Sequence, residues 1–347
     1  MTTFPTDVEV GIVAHNARAT IGQVLDSLTG AGCPESNILV VDVGSSDGLH
    51  TWLGETRPVI RRLSLDRNSG PGPGRNLAIR AATRPYVFLM DADVEVEPDT
   101  VALLRHEMAR DPGIAVGSPV VVHLDRPDVI QYAGTWLHFI CEAINPWLDR
   151  PLRERSEASV DLGCASTCGL LLRRDVAIHV GLFDERYFIG KEDGDFTHRV
   201  KLSGHRIVEP PHARVRHRSR PRNDWLFYFQ IRNRWHFLLK NYELRTLVVI
   251  APALVVHEAL QLAALTWKGY LGVYLRALLG LIRMLPALPG DRSLVARIRV
   301  VHDRAVLRAG PMVVRDDVGP GPSARARVLY DAWLQSYWRV AQRLLPA

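Results

Sequence analysis

Two aspartates separated by one residue, Asp91 and Asp93, stand directly after the apolar run YVFLM. Such a run predicts a buried strand, and two carboxylates at its end repel each other unless a cation lies between them. Carboxylate oxygens favour Mg²⁺ or Mn²⁺, which complete their coordination with phosphate oxygens and water. The motif therefore predicts a divalent metal bound to a diphosphate, with strand-ending acids that face solvent as the alternative.

A glycine-rich turn, NSGPGPGRN, leads into a predicted helix that carries Arg75. Glycines such as Gly70 allow close backbone approach, and an arginine at a helix start suits a phosphate or a nucleotide. The spacing fits neither a P-loop nor a dinucleotide-binding fingerprint. The turn is thus a candidate phosphate contact, and a plain turn is the alternative.

A cluster of acids in FIGKEDGD, formed by Glu192, Asp193 and Asp195, precedes another predicted helix. One of these carboxylates could act as a general base toward a hydroxyl group, or the acids could only stabilise the helix N-terminus. His217 ends the segment RVRH. It is a candidate third metal ligand, and the alternative is a surface histidine among arginines.

A different chemistry is suggested by residues 44–48, GSSDG, which match the nucleophile elbow of hydrolases and follow a strand-like run. Ser46 would be the nucleophile and would need a later aspartate and histidine as partners. The sequence selects no such pair, and the same residue types form ordinary strand-to-helix turns.

These motifs lie on a regular alternation of strand-like and helix-like segments in the first 125 residues. The apolar runs are VEVGIVA, ILVVDV, VIRRLSL and YVFLMDAD, with helices predicted near residues 21–28, 75–82 and 98–109. This order predicts an α/β fold with a Rossmann-like, mostly parallel sheet. Ligands bind such sheets at the carboxyl ends of the strands, where the sequence places Asn16, Asp42 and Asp91. Three later runs each predict one further strand region: IAVGSPVVV, CGLLLRRD and IVEPPHARVRHR.

Composition excludes a wholly disordered chain, since 47% of the 347 residues are apolar and 23% are charged. The net charge of +6 is uneven, because residues 1–243 carry −2 and residues 244–347 carry +8. The basic excess accompanies an apolar stretch, which favours an anionic membrane surface over nucleic acid. We therefore expect a catalytic domain over residues 1–243, a membrane-associating region over residues 244–347, and no nucleic-acid partner.

The segment 246–285 is almost continuously apolar, but its longest run without a charged residue or histidine has eleven residues. That run is too short for a clean transmembrane helix. On one continuous helix the polar residues share an arc, which predicts an amphipathic helix in the membrane interface. A helix packed on the catalytic domain and a tilted span are the alternatives. Residues 286–322 are expected to form a loosely ordered connector, and residues 324–345 a final amphipathic helix.

The four cysteines are too few for a disulfide scaffold and lack zinc-site spacing, so we expect buried, reduced thiols. The opening residues MTTFPTDVEV have neither the basic segment nor the apolar core of a secretory signal. The catalytic domain is accordingly expected in the cytoplasm.

In this order, the motifs of residues 7–242 resemble those of family 2 glycosyltransferases with the GT-A fold, of the bacterial rhamnosyltransferase-like kind. VGIVAHNA resembles the family's first strand and places Val13 and Asn16 near a nucleotide. VVDVGSSDG resembles its D-N-G-S-S-D-G turn, which puts Asp42 at the nucleotide base. NSGPGPGRN resembles its N-x-G-x-[AG]-x-[AG]-R-N motif, which makes Gly70 and Arg75 nucleotide or phosphate contacts.

The resemblance also implies roles for the acids and the histidine. Asp91 would contact the ribose or the metal, Asp93 would ligate the metal, and His217 would contact the metal or the diphosphate. Asp193 would be the catalytic base, with Glu192 as its neighbour.

The implied reaction is an inverting transfer from a nucleotide-diphosphate sugar, assisted by Mg²⁺ or Mn²⁺, to a hydroxyl of a glycan or lipid-linked acceptor. It would serve cell-envelope polysaccharide or glycoconjugate synthesis at the cytoplasmic face of the cell membrane. The protein would sit on the inner membrane surface, peripherally or partly inserted through residues 244–285. The alternatives are a catalytically silent nucleotide-binding membrane scaffold and a hydrolase that uses Ser46.

Overall fold

The computed structural model describes residues 3–218, 224–312 and 324–347. In these ranges the strands are β1 (Val8–Ala14), β2 (Ile38–Val43), β3 (Arg61–Leu65), β4 (Tyr86–Asp91), β5 (Val94–Val96), β6 (Ile114–Gly117), β7 (Val120–His123), β8 (Ile130–Tyr132), β9 (Trp136–Leu137), β10 (Ala143–Ile144), β11 (Val160–Asp161), β12 (Gly169–Arg173), β13 (Arg206–Glu209) and β14 (Arg214–His217). The α-helices are α1 (Ile21–Gly30), α2 (Leu49–Thr56), α3 (Pro71–Ala81), α4 (Thr100–Arg110), α5 (Arg174–His179), α6 (Glu192–Leu202), α7 (Leu226–Asn241), α8 (Leu244–Trp267), α9 (Leu271–Met284), α10 (Leu288–Ile298), α11 (Asp303–Val306) and α12 (Ala324–Ala341).

The main sheet has eight strands in the order β11-β13-β6-β12-β4-β1-β2-β3. Strands β4, β1, β2 and β3 are parallel neighbours, whereas β12 runs antiparallel to both β4 and β6. In the register, Val13 lies opposite Asp91, and Ala14 lies opposite Asp42. The carboxyl ends of β1, β2 and β4 therefore meet at one edge, as the α/β prediction requires.

Two apolar runs that read as single strand regions are each divided at proline. IAVGSPVVV splits at Ser118-Pro119 into β6 and β7, and IVEPPHARVRH splits at Pro210-Pro211 into β13 and β14. The first strand of each pair joins the main sheet, and the second joins a four-stranded sheet of order β5-β14-β7-β8. Proline has no backbone N–H to donate to a sheet, so the pairing breaks there. This second sheet sets His217 opposite Val94, beside Asp93.

Helix α3 lies unusually close to the main sheet, and this contact sets the position of Arg75. A Cβ on Gly74 would stand 2.8 Å from methyl groups of both Val13 and Val43. A Cβ on Gly11 would similarly stand 2.9 Å from that of Ala78. Small residues at these positions let the helix pack directly on β1 and β2, which turns Arg75 toward the carboxyl edge of the sheet.

The expected boundary at residue 243 falls between α7 and α8. A single apolar cluster crosses that boundary, because Phe237 of α7, Ile250 of α8 and Trp338 of α12 pack with Phe139 of the catalytic part. The C-terminal helices therefore share a core with the preceding residues, and cutting the chain at 243 would expose it. The division into two regions stays a prediction.

The stretch expected as one helix over 246–285 is two helices, α8 and α9, separated at residues 268–270. Three polar residues of α8 face the protein and not solvent, whereas Arg276 and Arg283 of α9 are exposed. His257 bonds Tyr330 of α12 at 2.8 Å, and both Glu258 and Gln261 accept bonds from Arg234 of α7. The opposite face of α8 is apolar and exposed, with Val248 at 73% and Val255 at 68%. Helix α8 is thus packed on the protein through its polar face.

Two segments are long and apolar enough to cross a membrane by length and composition, Leu244–Trp267 and Leu271–Ile298. The first of them coincides with the tilted span that the sequence left as an alternative.

The connector expected over residues 286–322 is partly wrong, because α10 and α11 lie within it and residues 313–323 fall outside the described ranges. Pro286 and Pro289 sit in first turns of short helical segments, where a missing N–H costs nothing. The final helix is confirmed as α12. All four cysteines are buried free thiols, as expected.

Candidate functional site

A cavity of about 1380 Å³ opens at the carboxyl edge of the main sheet. Most of the residues singled out from the sequence line it: Val13, Gly70, Arg75, Asp91, Asp93, Glu192, Asp193 and His217. The motifs from five separate parts of the chain thus converge on one space. Asn16 and Asp42 are not among its described lining residues.

Arg75 is the centre of the buried part of this site. Its Nη2 donates to Asp91 at 2.9 Å and its Nη1 to Glu192 at 3.3 Å, while only 3% of Arg75 is exposed. Burial disfavours the charged guanidinium, but Asp91 and Glu192 outweigh it and raise the pKa of Arg75. Arg75 therefore stays a cation and links the D-x-D motif to the acids of α6.

Glu192 is the other strongly perturbed group of the site. Burial and the neighbouring Asp193 raise the pKa of Glu192 to about 7, against the opposing effect of Arg75. Its second oxygen, Oε2, is buried and has no hydrogen-bond partner among the described residues. Glu192 consequently carries a proton over part of the neutral range.

Asp193 occupies the first turn of α6 and lines the cavity beside Glu192. Its Oδ1 accepts a bond from the N–H of Gly194 at 2.7 Å, which orients the carboxylate. Asp195 has a different position, fully buried between Arg199 and Lys240. Burial opposes its ionisation, yet these two cations lower the pKa of Asp195 to about 2. Asp195 therefore holds the fold, and Asp193 faces the cavity.

Asp93 and His217 face each other, with 3.7 Å between Asp93 Oδ1 and His217 Nε2. The other ring nitrogen of His217, Nδ1, lies 2.8 Å from Gln131 Oε1 and donates to it. That bond fixes the tautomer and leaves the Nε2 lone pair toward Asp93. Histidine ligands of metals are held in this way by a second residue.

Asp93 and His217 therefore fit Mg²⁺ or Mn²⁺ as a pair, with phosphate oxygens and water in the remaining positions. Asp91 offers only part of its carboxylate, because Oδ1 is bound by Arg75.

Another group of possible metal ligands, Asp184, His236 and Asp291, is already neutralised by side chains. Arg186 donates to both aspartates at 2.6 Å, and Lys240 donates to Asp184 at 2.9 Å. This cluster is an ion-pair network between the catalytic part and α10.

Asn16, Asp42 and Gly70 shape the turns around the cavity. The side chain of Asn16 accepts from Ser46 N–H at 2.8 Å, and Asp42 accepts from Ser45 N–H at 2.9 Å. Gly70 has φ +84°, and a Cβ there would stand 2.0 Å from the carbonyl oxygen of Phe188. The hydrogen bonds join the end of β1 to the turn after β2, and the close approach at Gly70 brings the turn before α3 against the loop before α6.

The Ser46 hydroxyl donates to Asn16 at 3.4 Å and has no histidine partner within the described ranges. This geometry lacks the base that a hydrolase nucleophile needs.

Sequence reasoning missed the residues of α7 that hold the loop before α6. The side-chain amide of Asn233 donates to the carbonyls of Tyr187, Ile189 and Gly190, at 2.9, 3.0 and 2.6 Å. Arg232 donates to the same carbonyl of Tyr187 and to that of Arg186. The only sequence signal was the run Arg232-Asn233-Arg234 itself, since the bonded carbonyls are more than 40 residues away.

Residues 9–180 match the model of glycosyl transferase family 2. The chain is 29% identical over 237 residues to the N-acetylglucosaminyl-diphospho-decaprenol L-rhamnosyltransferase of Mycobacterium tuberculosis, a match that covers 61% of this chain and 76% of the relative. It is 32% identical over 138 residues to the succinoglycan biosynthesis protein ExoO of Rhizobium meliloti, which covers 40% of this chain and 38% of the relative.

Among solved structures, TarS 1-349 of S. aureus in complex with UDP-GlcNAc is similar with a TM-score of 0.55 and 15% identity, over 97% of this chain and 90% of that chain. GalNAc-T7 with UDP, GalNAc and Mn²⁺ is similar with a TM-score of 0.55 and 16% identity, over 68% of this chain and 48% of that chain. The fold is therefore that of the GT-A glycosyltransferases. The chain belongs to glycosyl transferase family 2.

Proposed function

We propose that this protein transfers a sugar from a nucleoside-diphosphate sugar to a hydroxyl of a glycan or lipid-linked acceptor, with inversion at the anomeric carbon. The observation that carries the proposal is the convergence of Asp91, Asp93, Asp193 and His217 on one cavity. It is supported by the family and by relatives named for envelope polysaccharide and rhamnosyl transfer. The reaction belongs to cell-envelope synthesis.

In this proposal Asp93 and His217 hold Mg²⁺ or Mn²⁺, and Arg75 keeps Asp91 in place beside them. A bound divalent ion would neutralise the negative charge that develops on the departing diphosphate. Val13 contacts the nucleotide directly, while Asn16, Asp42 and Gly70 shape the turns around it. Two protein ligands suffice because Mg²⁺ usually keeps several water or phosphate ligands.

Asp193 is the proposed base. Its carboxylate takes the proton of the acceptor hydroxyl, and the hydroxyl oxygen forms the new bond to the anomeric carbon. The bond from that carbon to the diphosphate oxygen breaks in the same displacement, and the nucleoside diphosphate leaves with the electron pair. Glu192, whose pKa is raised to about 7 by burial and Asp193, reduces the negative charge next to Asp193 whenever it is protonated.

A catalytically silent nucleotide-binding scaffold is the second candidate, and it predicts nucleotide binding without turnover. The cavity retains every acidic residue that the transfer needs, which favours the enzyme. The hydrolase reading is disfavoured by the contact of Ser46 with Asn16.

We further propose that the protein works at the cytoplasmic face of the cell membrane, on the inner membrane surface. The support is the exposed apolar face of α8 and α9, which includes Val248, Val255, Leu275 and Leu279. A large exposed apolar surface marks a protein or membrane contact. Because the polar face of α8 is packed inside, the helices are expected to lie along the membrane and not to cross it.

The first test is a thermal-shift panel of nucleoside diphosphates and nucleotide sugars, each with and without Mn²⁺, on the wild type and on Asp93→Ala. A ligand that binds the native state raises the melting temperature. We expect stabilisation by one nucleotide class that needs Mn²⁺ and is lost in the variant. Glu55→Ala, which removes an exposed acid outside the described cavity lining, is the control and should behave as the wild type. Absence of any nucleotide shift in folded protein would contradict the proposal.

A further inference from the structure

The catalytic cavity continues past Asp193 to the C-terminal helices. There its wall is formed by Trp225 and Phe227 near the start of α7, by Leu260 and Trp267 of α8, and by residues of α12. The same wall carries two basic residues, Lys268 at the end of α8 and Arg327 in α12. This extension lies outside the metal and base residues discussed above.

The two basic residues approach the opening from neighbouring helices. Tyr330 of α12 bonds His257 of α8, and Tyr337 donates to the carbonyl of Val249 at 2.5 Å. These two contacts show that α8 and α12 run antiparallel. Arg327 precedes Tyr330 by three residues, so it lies about level with the residue three positions after His257 in α8. Lys268 is eight residues further along α8, which is about 12 Å along the axis at a rise of about 1.5 Å per residue. Two long basic side chains can serve one group between them.

The surroundings of this basic pair are largely apolar, apart from the acid Asp331 one turn after Arg327. Trp267 is 77% exposed and Trp225 is 46% exposed. Beyond them lie the outward apolar side chains of α8 and α9. Tryptophan and lysine at the edge of an apolar surface are typical of the membrane–water interface, where the ring meets the acyl chains and the charge meets the headgroups. The opening of the cavity thus faces the surface proposed to contact the membrane.

Two polar residues of the lining lie between α8 and the loop before α6: Glu142 accepts from Lys191 at 2.7 Å, and Gln261 accepts from Arg234 at 3.0 Å. The lining therefore contains the proposed base, hydrogen-bonding groups, two cations and an apolar surface. A sugar, a diphosphate and a hydrocarbon chain would each match one of these parts.

We propose that Lys268 and Arg327 bind the diphosphate of an isoprenoid-diphosphate-linked acceptor, whose hydrocarbon chain lies on the exposed apolar surface of α8 and α9. The inference rests on the proposed function for the placement of the acceptor sugar at Asp193. The diphosphate site itself depends only on the basic pair and on the apolar opening. It is separate from the donor diphosphate, which the metal pair Asp93 and His217 would hold.

The test uses the full-length protein and farnesyl diphosphate as the probe, in EDTA so that no metal supports the donor site. Binding is followed by tryptophan fluorescence, because Trp225 and Trp267 flank the opening. We expect the double variant Lys268→Gln with Arg327→Gln to weaken binding about tenfold, the order expected for two partly screened charge contacts. Arg276→Gln removes an exposed arginine of α9 outside the cavity lining and should leave binding unchanged.

Three results would overturn the inference: an unchanged dissociation constant in the double variant, an equal loss in Arg276→Gln, or farnesol binding as tightly as farnesyl diphosphate. Displacement of farnesyl diphosphate by UDP in EDTA would also do so, because it would place the probe in the donor site.

The same preparations are tested for nucleotide binding with Mn²⁺. Farnesyl diphosphate binding that depends on the basic pair, without any nucleotide binding, would reject the proposed function and leave the diphosphate site standing. Normal nucleotide binding in the double variant shows that it is folded.

Discussion

The guanidinium of Arg75 meets the carboxylate of Glu192 at 3.3 Å across 117 residues of chain, and both side chains are buried. Arg75 comes from the glycine-rich turn before α3, and Glu192 opens α6. Through its second bond, to Asp91, the same arginine reaches the end of β4. One cation thus fixes the distance between the metal-side acid and the helix that carries the proposed base.

Glu192→Gln is expected to change how stability depends on pH. The pKa of Glu192 is raised to about 7 by burial and by Asp193, so between pH 4.5 and 7 the folded wild type holds a proton that the unfolded chain has lost. Wild-type stability then falls as pH rises through this window, by up to about 1.4 kcal/mol per pH unit from this group. Glutamine does not titrate, so the free energy of unfolding of the variant should rise relative to that of the wild type between pH 5 and pH 7.

The measurement is urea unfolding of metal-free protein at several pH values. Glu55→Gln, an exposed matched substitution, should follow the wild type throughout. Parallel curves for Glu192→Gln and the wild type would show that Glu192 titrates normally.

His198→Leu should remove part of the acid sensitivity. His198 is fully buried, neither ring nitrogen has a described partner, and burial, with Arg299, lowers the pKa of His198 to about 3. Below pH 6.5 the unfolded chain binds a proton there that the folded protein does not. The wild type therefore loses about 2 kcal/mol between pH 6.5 and pH 5 from this residue.

The leucine variant lacks that titration and should gain about 2 kcal/mol relative to the wild type when unfolding free energies at pH 7 and pH 5 are compared. An equal pH effect in both proteins would mean that His198 is protonated in the fold.

Much of the site was predictable from local sequence, because Asp91, Asp93 and Asp193 lie beside runs with clear strand or helix patterns. The bonding partners of Arg75 could not be predicted, because the acids that surround this buried arginine come from distant parts of the chain and meet it only in the folded structure. The division of IAVGSPVVV between two sheets was also missed, because both halves are equally apolar. The polar face of α8 was predicted to contact solvent and packs on the protein instead. Periodicity shows that a helix has a polar face, but it does not show whether that face contacts solvent or protein.

Gln131→Leu should weaken metal binding without touching a proposed ligand. Gln131 is 2% exposed and accepts from His217 Nδ1, which keeps Nε2 toward Asp93. Loss of such an orienting residue typically costs about 10–100-fold in metal affinity. Mn²⁺ titration in the presence of a nucleoside diphosphate measures the change. An unaltered Mn²⁺ affinity, in protein with the wild-type melting temperature, would remove Gln131 and His217 from the metal site.

Leu275→Glu combined with Leu279→Glu should reduce membrane binding. These side chains of α9 are 51% and 57% exposed, and each leucine contributes about 1.5–3 kcal/mol when fully buried in an apolar phase. We expect at least a tenfold lower partition into anionic vesicles in a flotation assay. Val59→Glu, 58% exposed on the catalytic part, should float as the wild type does. Undiminished flotation of the double variant would place the membrane contact elsewhere.

The central claim is that Asp193 takes the proton of the acceptor hydroxyl. The most direct measurement is the rate of sugar transfer by Asp193→Asn, alongside its nucleotide-sugar binding with Mn²⁺, once the donor class is known. We predict wild-type donor affinity and a loss of transfer of at least about 100-fold, since general base catalysis contributes about 10²–10⁴-fold. Transfer at the wild-type rate by Asp193→Asn would contradict the account.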